Sequence, residues 1–580
     1  MAYRRTFGML AALFLLGAAA PAPPAADYDV LIRGGTIYDG SGGAPFAGDV
    51  AIKGDRIAYV GPHAPGHAAR AIDAHGLAVA PGFINMLSWS NESLIQDPRG
   101  ESETRQGITL EVMGEGTSMG PLNPEMKRLM VQRQGDVHYP VTWTTLGEYL
   151  DFMQRRGVTP NLASFVGAGT VRVHEVGEGD VDPTPAQLDR MRALVRQAMN
   201  EGALGVGSSL IYAPDNFAET DELVALATEA AQCGGMYISH MRSEGDRLLE
   251  AVDELIDISR RSGAPAEIYH LKESGRGNWN KLDDVIARVE RARASGLRIT
   301  ADMYTYTAGA TGLDASMPLW VQAGGLEQWV ARLRDPAIRA RVAREMDAPG
   351  QGWENLYLGA GPEGIMLSDF RNPTLRHYAG KTLAEVARER GKSPEETAMD
   401  LVVEDNSRVG ATYFLMSEDN VRREVALPWV SFGSDAASIA NEGVFLNSHP
   451  HPRTYGNFAR LLGTYVRDEH IVPMAEAIRR LTLFPATNLG ISERGALRQG
   501  WFADVVMFDP TRIAAPATYA SPHQYAVGMR DVFINGVQVL RDGEHTGATP
   551  GRFVHGRGWN RCPAPNAADA RSVPHEAGAA

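Results

Sequence analysis

Two histidines, His240 and His270, each end a short β-rich run, and about 30 residues separate them, which is the length of one βα unit. Short apolar runs alternate with amphipathic stretches such as 186–200 and 282–294 on both sides of this pair. That alternation is typical of repeated βα units around a parallel sheet. Because neighbouring parallel strands end at the same edge, the spacing predicts that both imidazoles lie at one site.

Eight runs between residues 83 and 435 are predicted as barrel strands. They are 83–89, 110–115, 162–167, 205–212, 237–240, 268–270, 299–304 and 430–435. The sequence therefore predicts an α/β fold with a TIM-like (β/α)8 barrel over residues 79–486. The stretch 326–423 is too long for a plain connection, so we expect a subdomain inserted before the last barrel strand, over the barrel mouth.

Both ends of the chain have the texture of short strands joined by tight turns. The runs with this texture are 28–35, 49–60, 503–509 and 532–539. We expect a small β-sandwich domain built from residues 27–78 and 487–552, with the barrel inserted between them. The Pro/Ala-rich composition of the last residues predicts a disordered tail over 553–580.

Residues 1–26 have the features of an export signal. Arg4 and Arg5 precede an apolar run over 8–20, and small residues and prolines follow. We expect this signal to be removed after export to the periplasm or out of the cell, by the general secretory or the twin-arginine route. Since the apolar run is shorter than the roughly 20 residues of a spanning helix, no stable membrane insertion is expected after cleavage.

Charge and cysteine content narrow the range of partners. The 580 residues carry a formal net charge of -14, which argues against nucleic acid, because phosphate backbones bind positive surfaces. We expect a small-molecule partner, and the sequence leaves the oligomeric state open. The two cysteines, Cys233 and Cys562, are too few for a thiolate metal cluster, and nothing in the sequence indicates a disulfide between them.

A carboxylate at a third strand end completes a candidate metal site. Glu115 ends the run that begins at Leu110, as His240 and His270 end theirs. Two imidazoles and one carboxylate are a ligand set for a catalytic zinc ion, and they leave a fourth position for water. The alternatives are a carboxylate that caps a glycine-rich loop and histidines that are hydrogen-bonded structural residues.

Asp435 ends the last predicted strand. A carboxylate beside an activated water can take its proton and pass it to the leaving nitrogen of an amide, which leaves poorly as an anion. The alternative is that Asp435 caps a helix beginning at Ala436.

Several motifs follow one another in a fixed order. They are Ala80-Pro81-Gly82-Phe83-Ile84, Gly202-Ala203-Leu204-Gly205, Ser239-His240-Met241-Arg242-Ser243-Glu244-Gly245, His270-Leu271-Lys272, the stretch 302–309, Ser434-Asp435, His449-Pro450-His451-Pro452-Arg453, and the stretches 500–506 and 542–547. Together they resemble the amidohydrolase superfamily, and within it the D-aminoacylase (N-acyl-D-amino-acid deacylase) family, over about residues 28–552. The resemblance implies that Asp435 is catalytic.

The same resemblance implies a clamp for the α-carboxylate and carbonyl of the substrate. Its residues would be Lys272, Tyr304 and Arg453, and the planar fork of an arginine suits a carboxylate. The alternatives are surface ion pairs for Lys272 and Arg453 and core packing for Tyr304.

The chain departs from that family at the first metal motif. Where the family continues into Asp-x-His-x-His, this chain has Asn85-Met86-Leu87-Ser88-Trp89, and neither Leu87 nor Trp89 can bind a metal. Glu115 stands where the family has a metal-bridging cysteine. We therefore predict one divalent metal ion rather than two, with zinc expected and cobalt, nickel or iron(II) compatible with the same ligand types.

The site and the resemblance together predict metal-dependent hydrolysis of N-acyl-D-amino acids to a D-amino acid and a carboxylate. One alternative keeps the hydrolase and changes the substrate to a D-dipeptide or a cyclic amide. Another is a non-catalytic binding relative that remained after the histidine pair was lost. The retained ligand set and Asp435 argue against the second alternative.

Overall fold

The computed structural model describes residues 26–563. The predicted export signal therefore lies, apart from Ala26, outside the described residues, and so does the chain from residue 564 onwards. Between residues 26 and 563, every helix is too short or too polar to cross a bilayer.

Five strands open the part of the chain from residue 26 onwards, and strands then alternate with helices. The opening strands are β1 (Tyr28–Ile37), β2 (Phe46–Lys53), β3 (Arg56–Gly61), β4 (Ala68–Asp73) and β5 (Ala78–Pro81). The alternating region holds β6 (Phe83–Asn85), α1 (Ser93–Gln96), α2 (Glu101–Thr104), β7 (Ile108–Met113), α3 (Pro124–Gln132), α4 (Leu146–Arg156), β8 (Asn161–Ser164), β9 (Val166–Gly167), α5 (Ala168–Glu175), α6 (Pro185–Asn200), β10 (Gly205–Ser209), α7 (Thr220–Gln232), β11 (Met236–His240), α8 (Leu248–Ser262), β12 (Ala266–Ile268), α9 (Leu282–Ala294) and β13 (Ile299–Met303).

The later elements form an insertion, a last parallel strand and a closing group of strands. The insertion holds β14 (Gly309–Gly312), α10 (Leu319–Gln322), α11 (Leu326–Arg332), α12 (Pro336–Met346), α13 (Leu356–Ala360), β15 (Ile365–Asp369), α14 (Leu383–Arg390), α15 (Pro394–Asp405) and β16 (Gly410–Tyr413). After it come α16 (Glu418–Ala426), β17 (Val430–Phe432), α17 (Arg453–Arg460), a π helix (Leu461–Asp468), α18 (Met474–Leu481), α19 (Leu483–Leu489), β18 (Val505–Phe508), β19 (Met529–Ile534), β20 (Val537–Arg541) and β21 (Glu544–His545).

Strands from both ends of the chain share one nine-stranded sheet. Its order is β21-β20-β19-β18-β5-β1-β2-β3, with β4 beside β1. β5 joins the two ends, because it pairs parallel with β1 and antiparallel with β18. A common apolar core includes Ile32, Val50, Val79, Val505 and Phe533. The boundaries of this β domain and its description as a sandwich stay predictions.

The strands of the middle region run parallel in two sheets, β6-β7-β8 and β9-β10-β11-β12-β13-β17. Only Phe165 separates β8 from β9. At the opposite join, the Met86 N–H donates to the Phe432 carbonyl at 3.2 Å. Apolar side chains shared between the two sheets include Ile84, Leu110, Val112, Ala163, Phe165, Ile238 and Tyr269. The arrangement is TIM-barrel-like, and the carboxyl ends of its strands carry the predicted site residues.

The insertion has its own sheet and its own core. Its strands pair antiparallel in the order β14-β16-β15. Its helices bury a separate apolar cluster that includes Leu313, Val321, Trp329, Val342, Leu383 and Leu401. Its first strand begins at Gly309, before the predicted boundary at residue 326. The sequence did not indicate this strand, because Gly-Ala-Thr-Gly consists of small residues without an apolar alternation.

The prediction of a disordered tail from residue 553 is wrong for residues 553–563. The Val554 N–H donates to the Leu162 carbonyl at 2.8 Å, and Gly556 N–H donates to the Gly202 carbonyl at 2.9 Å. Cys562 forms a disulfide with Cys233. Composition could not predict these contacts, because they join residues more than 300 positions apart.

Candidate metal centre and active-site cavity

The three predicted metal ligands meet at the carboxyl ends of the parallel strands. Glu115 follows β7, His240 is the last residue of β11, and His270 follows β12. Since β11 and β12 pair directly, the two imidazoles lie side by side. Glu115 Oε1 is 3.1 Å from His240 Nδ1 and 2.9 Å from His270 Nε2, and all three side chains are buried.

This cluster fits a divalent metal ion. One ligand atom from each residue lies within 4.8 Å of the other two. Burial raises the pKa of the Glu115 carboxyl, but His270 and His240 outweigh burial and hold that pKa at about 2. His240 Nε2 is buried and has no hydrogen-bond partner within residues 26–563. An ionised carboxylate and two imidazole nitrogens are donors that zinc binds, so the residues present suit the predicted ion.

Glu244 is a site residue that the sequence analysis did not single out. Its Oε1 accepts a hydrogen bond from Lys272 Nζ at 2.6 Å and lies 2.9 Å from His270 Nδ1. Burial raises the pKa of Glu244, but Lys272 and the two histidines outweigh burial and bring the pKa well below its usual range. A carboxylate at the outer nitrogen of a metal-binding imidazole fixes the orientation and tautomer of the ring. The position of Glu244, four residues after His240 in the same motif, was the available signal.

Lys272, which is predicted to belong to the substrate clamp, contacts a metal ligand and Glu244. Its Nζ is 2.6 Å from His270 Nδ1 as well as from Glu244. Burial and Lys272 lower the pKa of His270, but Glu244 and Glu115 outweigh both and raise it to about 10. Glu244 and Glu115 therefore favour the doubly protonated ring, and a metal ion at His270 competes with the extra proton.

Replacement of Glu244 by glutamine is expected to weaken zinc binding by about 10- to 100-fold, because the neutral amide holds His270 less firmly. Competition with a chromogenic chelator measures the affinity. Glu229→Gln is the matched control, since Glu229 is also a buried carboxylate bound by cations, here Arg192 and Arg196. Equal zinc affinity in wild type and Glu244→Gln would show that Glu244 does not support the ligand.

Asp435 and Arg453 face each other beside the metal cluster. Arg453 Nη2 is 2.9 Å from Asp435 Oδ2, and Trp89 Nε1 donates to Asp435 Oδ1 at 3.0 Å. The φ of Asp435 is 48°, in the left-handed region that aspartate tolerates better than most residues. The next helical turn begins only at Gly443, so Asp435 does not cap a helix at Ala436.

Tyr304 lies between the two cations predicted to bind substrate. Its ring centroid is 5.4 Å from Lys272 Nζ and 4.4 Å from the central carbon of the Arg453 guanidinium. Burial raises the pKa of Tyr304, so the phenol stays neutral. Within residues 26–563, Arg453 Nε and Nη1 are buried without a hydrogen-bond partner. Because unpaired buried donors are costly, these two N–H groups suit an anionic ligand.

All seven predicted site residues line one cavity of about 1140 Å³. The insertion supplies part of its wall through Leu356, Tyr413 and Leu415. Trp89 also lines the cavity and is 37% exposed, whereas Leu87 is fully buried. Of the two residues that replace the family's histidines, Trp89 therefore faces the cavity and Leu87 faces the core.

Two buried glutamates lie behind the segment Asn85–Trp89. Glu103 accepts hydrogen bonds from Asn85 Nδ2 at 2.8 Å and from Ser434 Oγ at 2.6 Å. Glu111 accepts from Ser88 Oγ at 2.8 Å. Burial raises the pKa of Glu111 to about 7, and burial together with the charge of Glu111 raises the pKa of Glu103.

Thermal stability is expected to fall as the pH rises from about 4.5 to about 7, the range in which the Glu111 carboxyl titrates. A carboxyl with a folded pKa of about 7 and an unfolded pKa near 4.5 keeps its proton longer in the folded state, so its contribution is fully present below the lower value and is lost above the higher one. Glu111→Gln removes the titration. Melting temperatures at about pH 5 and about pH 8 should differ more for wild type than for Glu111→Gln. If the melting temperature changed equally with pH in wild type and Glu111→Gln, the titration of Glu111 would not be the cause.

The fold and the site define a metal-dependent hydrolase, and the family match agrees with them. Residues 70–540 match the model of the amidohydrolase family. The chain belongs to that family, and the resemblance seen in the motifs is confirmed.

Several similar proteins are named as D-aminoacylases or N-acyl-D-amino-acid deacylases. N-acyl-D-aspartate deacylase of Alcaligenes xylosoxydans xylosoxydans is 32% identical over 541 residues, 92% of this chain and 96% of that protein. A crystal structure of N-acyl-D-glutamate deacylase from Bordetella bronchiseptica, with zinc and a phosphonate mimic of the tetrahedral intermediate, has a TM-score of 0.75 at 28% identity and covers 91% of this chain and 99% of that one. A D-aminoacylase structure concerned with a binuclear metal centre, one-metal activation and second-metal attenuation has a TM-score of 0.75 at 30% identity, covering 91% of this chain and 100% of that one.

Proposed function

We propose that this protein hydrolyses the amide bond of N-acyl-D-amino acids and releases a D-amino acid and a carboxylate. The observation that carries the proposal is the meeting of Glu115, His240 and His270 in one cavity with Asp435 and Arg453. The cavity thus offers a ligand set, a proton carrier and an anion-binding guanidinium in one place. The N-acyl-D-amino-acid deacylases described above support the choice of substrate.

The cofactor in this proposal is one divalent metal ion, with zinc expected. Glu115, His240 and His270 would hold it. When bound, such an ion supplies polarisation of the acyl carbonyl and a lowered pKa for a water molecule. A second ion has no ligands at Leu87 and Trp89, which supports a single-metal centre in this chain.

Asp435 moves the proton in the proposed reaction. Its carboxylate takes a proton from the attacking water and delivers it to the leaving nitrogen, so the product leaves as an amine. Arg453 reaches Asp435 through Nη2 only, which leaves Nε and Nη1 for the α-carboxylate of the substrate. Lys272 and Tyr304 complete the clamp, and Tyr304 packs between the two cations.

A substrate panel tests the proposal. The zinc-loaded protein is assayed side by side on N-acetyl-D-amino acids, their L forms, D-dipeptides and a hydantoin. Turnover confined to the N-acetyl-D compounds is expected. Faster turnover of D-dipeptides or the hydantoin would replace the substrate with one of the two alternatives, and binding without any turnover would favour a non-catalytic relative.

Export also belongs to this proposal. The Cys233–Cys562 disulfide supports an oxidising compartment, where such bonds persist. Fractionation of cells that express the full chain should find the shortened protein in the periplasm or medium, and full-length protein in the cytoplasm alone would contradict export.

A closed (β/α)8 barrel also belongs to this proposal. The backbone contact between Met86 and Phe432 supports closure of the two parallel sheets into one barrel.

A further inference from the structure

The segment that lost the metal-binding histidines makes direct contacts with Asp435. The Asp435 N–H donates to the Leu87 carbonyl at 2.9 Å, and the Trp89 N–H donates to the Ala436 carbonyl at 3.0 Å. The indole N–H of Trp89 then reaches back to Asp435 Oδ1 at 3.0 Å. Leu87 and Trp89 therefore enclose Asp435 through backbone and side chain.

The carboxylate of Asp435 is held from two sides. Trp89 donates to Oδ1, and Arg453 Nη2 forms an ion pair with Oδ2 at 2.9 Å. The side chain of Asp435 is only 12% exposed, so few other donors reach it. A hydrogen bond to an ionised acceptor is stronger than one between neutral groups, and this hydrogen bond and the ion pair, on different oxygens, fix the plane of the carboxylate.

The backbone of Asp435 is held from the opposite side. Its left-handed φ costs energy and persists only where the surroundings enforce it. Asn85 Oδ1 accepts from the Ser434 N–H at 2.8 Å, and Asn85 Nδ2 donates to Ser434 Oγ at 2.8 Å. Asn85 therefore anchors the strained turn, and Trp89 orients the carboxylate.

We propose that Trp89 is a positioning residue, whose indole N–H orients the Asp435 carboxylate for proton transfer between water and the leaving nitrogen. The inference rests on the proposed function, in which Asp435 carries that proton. Trp89 gives the segment 85–89 a role that needs no metal. The indole N–H of Trp89 restricts the Asp435 carboxylate to one orientation. A misplaced reacting group lowers kcat rather than the affinity for substrate.

Trp89→Phe tests the inference by kinetics, because it keeps an aromatic ring and removes the N–H. We expect kcat to fall by about 10- to 100-fold with KM changed by less than about threefold, and with zinc content and melting temperature unchanged. Trp320→Phe is the matched control, since Trp320 Nε1 donates to Glu345 at 2.7 Å in the insertion and does not line the cavity. An unchanged kcat in Trp89→Phe, or an effect confined to KM, would overturn the inference.

A spectroscopic readout tests the same contact without turnover. The chain has nine tryptophans, so a zinc-loaded sample with 15N-indole labels gives a small set of N–H signals, and Trp89→Phe identifies one of them. Asp435→Asn should move that signal, while Asp468→Asn, which changes an exposed Arg467–Asp468 pair, should move none. A Trp89 signal that ignores Asp435→Asn would overturn the inference.

The two readouts separate the inference from the proposed function. Failure of the zinc-loaded wild type on every compound of the panel refutes the function, and the indole signal still decides the contact. If Trp89→Phe does not fold, the spectra of wild type and Asp435→Asn decide it, because one indole signal must move between them.

Discussion

Asp435→Asn is expected to lower kcat on N-acetyl-D-amino acids by about 10³-fold, the range that a positioned acid–base group contributes. The amide has almost the shape of the carboxylate, and its one oxygen can still accept the hydrogen bond from Trp89, but it gives up the ion pair with Arg453 and cannot carry the proton. Metal content and melting temperature should therefore stay at wild-type values. Steady-state kinetics together with metal analysis of the same preparation measures the effect.

The control for this variant is Asp468→Asn, which alters an exposed Arg–Asp pair and should leave kcat unchanged. If Asp435→Asn retained wild-type kcat with a full complement of metal, proton transfer would have to be assigned to another group.

His270→Ala is expected to lower kcat by at least about 10³-fold, because the variant loses the metal ion. His270 is buried, contacts Glu115 through Nε2 and lies against Glu244 through Nδ1, so its removal takes away one ligand and disorganises the remaining two. Zinc bound per chain should fall together with activity. Metal analysis after dialysis, combined with an assay at saturating zinc, measures both quantities.

His63→Ala serves as the control, because the side chain of His63 is 83% exposed and lies outside the cavity-lining residues. Bound zinc and activity at wild-type levels in His270→Ala would remove His270 from the ligand set.

The meeting of Glu115, His240 and His270 could be predicted from sequence because it depends on strand order. Glu115, His240 and His270 each stand at or just beyond a strand end, and the one-unit spacing of the histidines matches the direct pairing of β11 with β12. Parallel strands carry their ends to one edge whatever the loops do. The place of Asp435, just beyond the last parallel strand and in the same cavity, was predictable for the same reason.

The contacts around the cluster could not be predicted in this way. The contacts of Glu244, Trp89 and Arg453 depend on the direction of side chains that come from loops and helices, and a linear pattern carries little information about that direction. Trp89 was interpreted only as a lost ligand, whereas the structure shows it bonded to Asp435. The disulfide of Cys562 was missed because nothing local to either cysteine indicates its partner.

The loss of the histidine pair changes the site rather than emptying it. In the proposed mechanism one ion on Glu115, His240 and His270 is sufficient, and the segment 85–89 contacts Asp435 instead of a second ion.

A zinc titration of the metal-free protein tests the central claim most directly. Bound zinc and turnover of an N-acetyl-D-amino acid are followed in the same samples as zinc is added. The account predicts that both rise together and reach their plateau at one equivalent per chain. A protein that binds no zinc, or whose activity reaches its plateau only at two equivalents, would contradict a single-metal Glu-His-His centre.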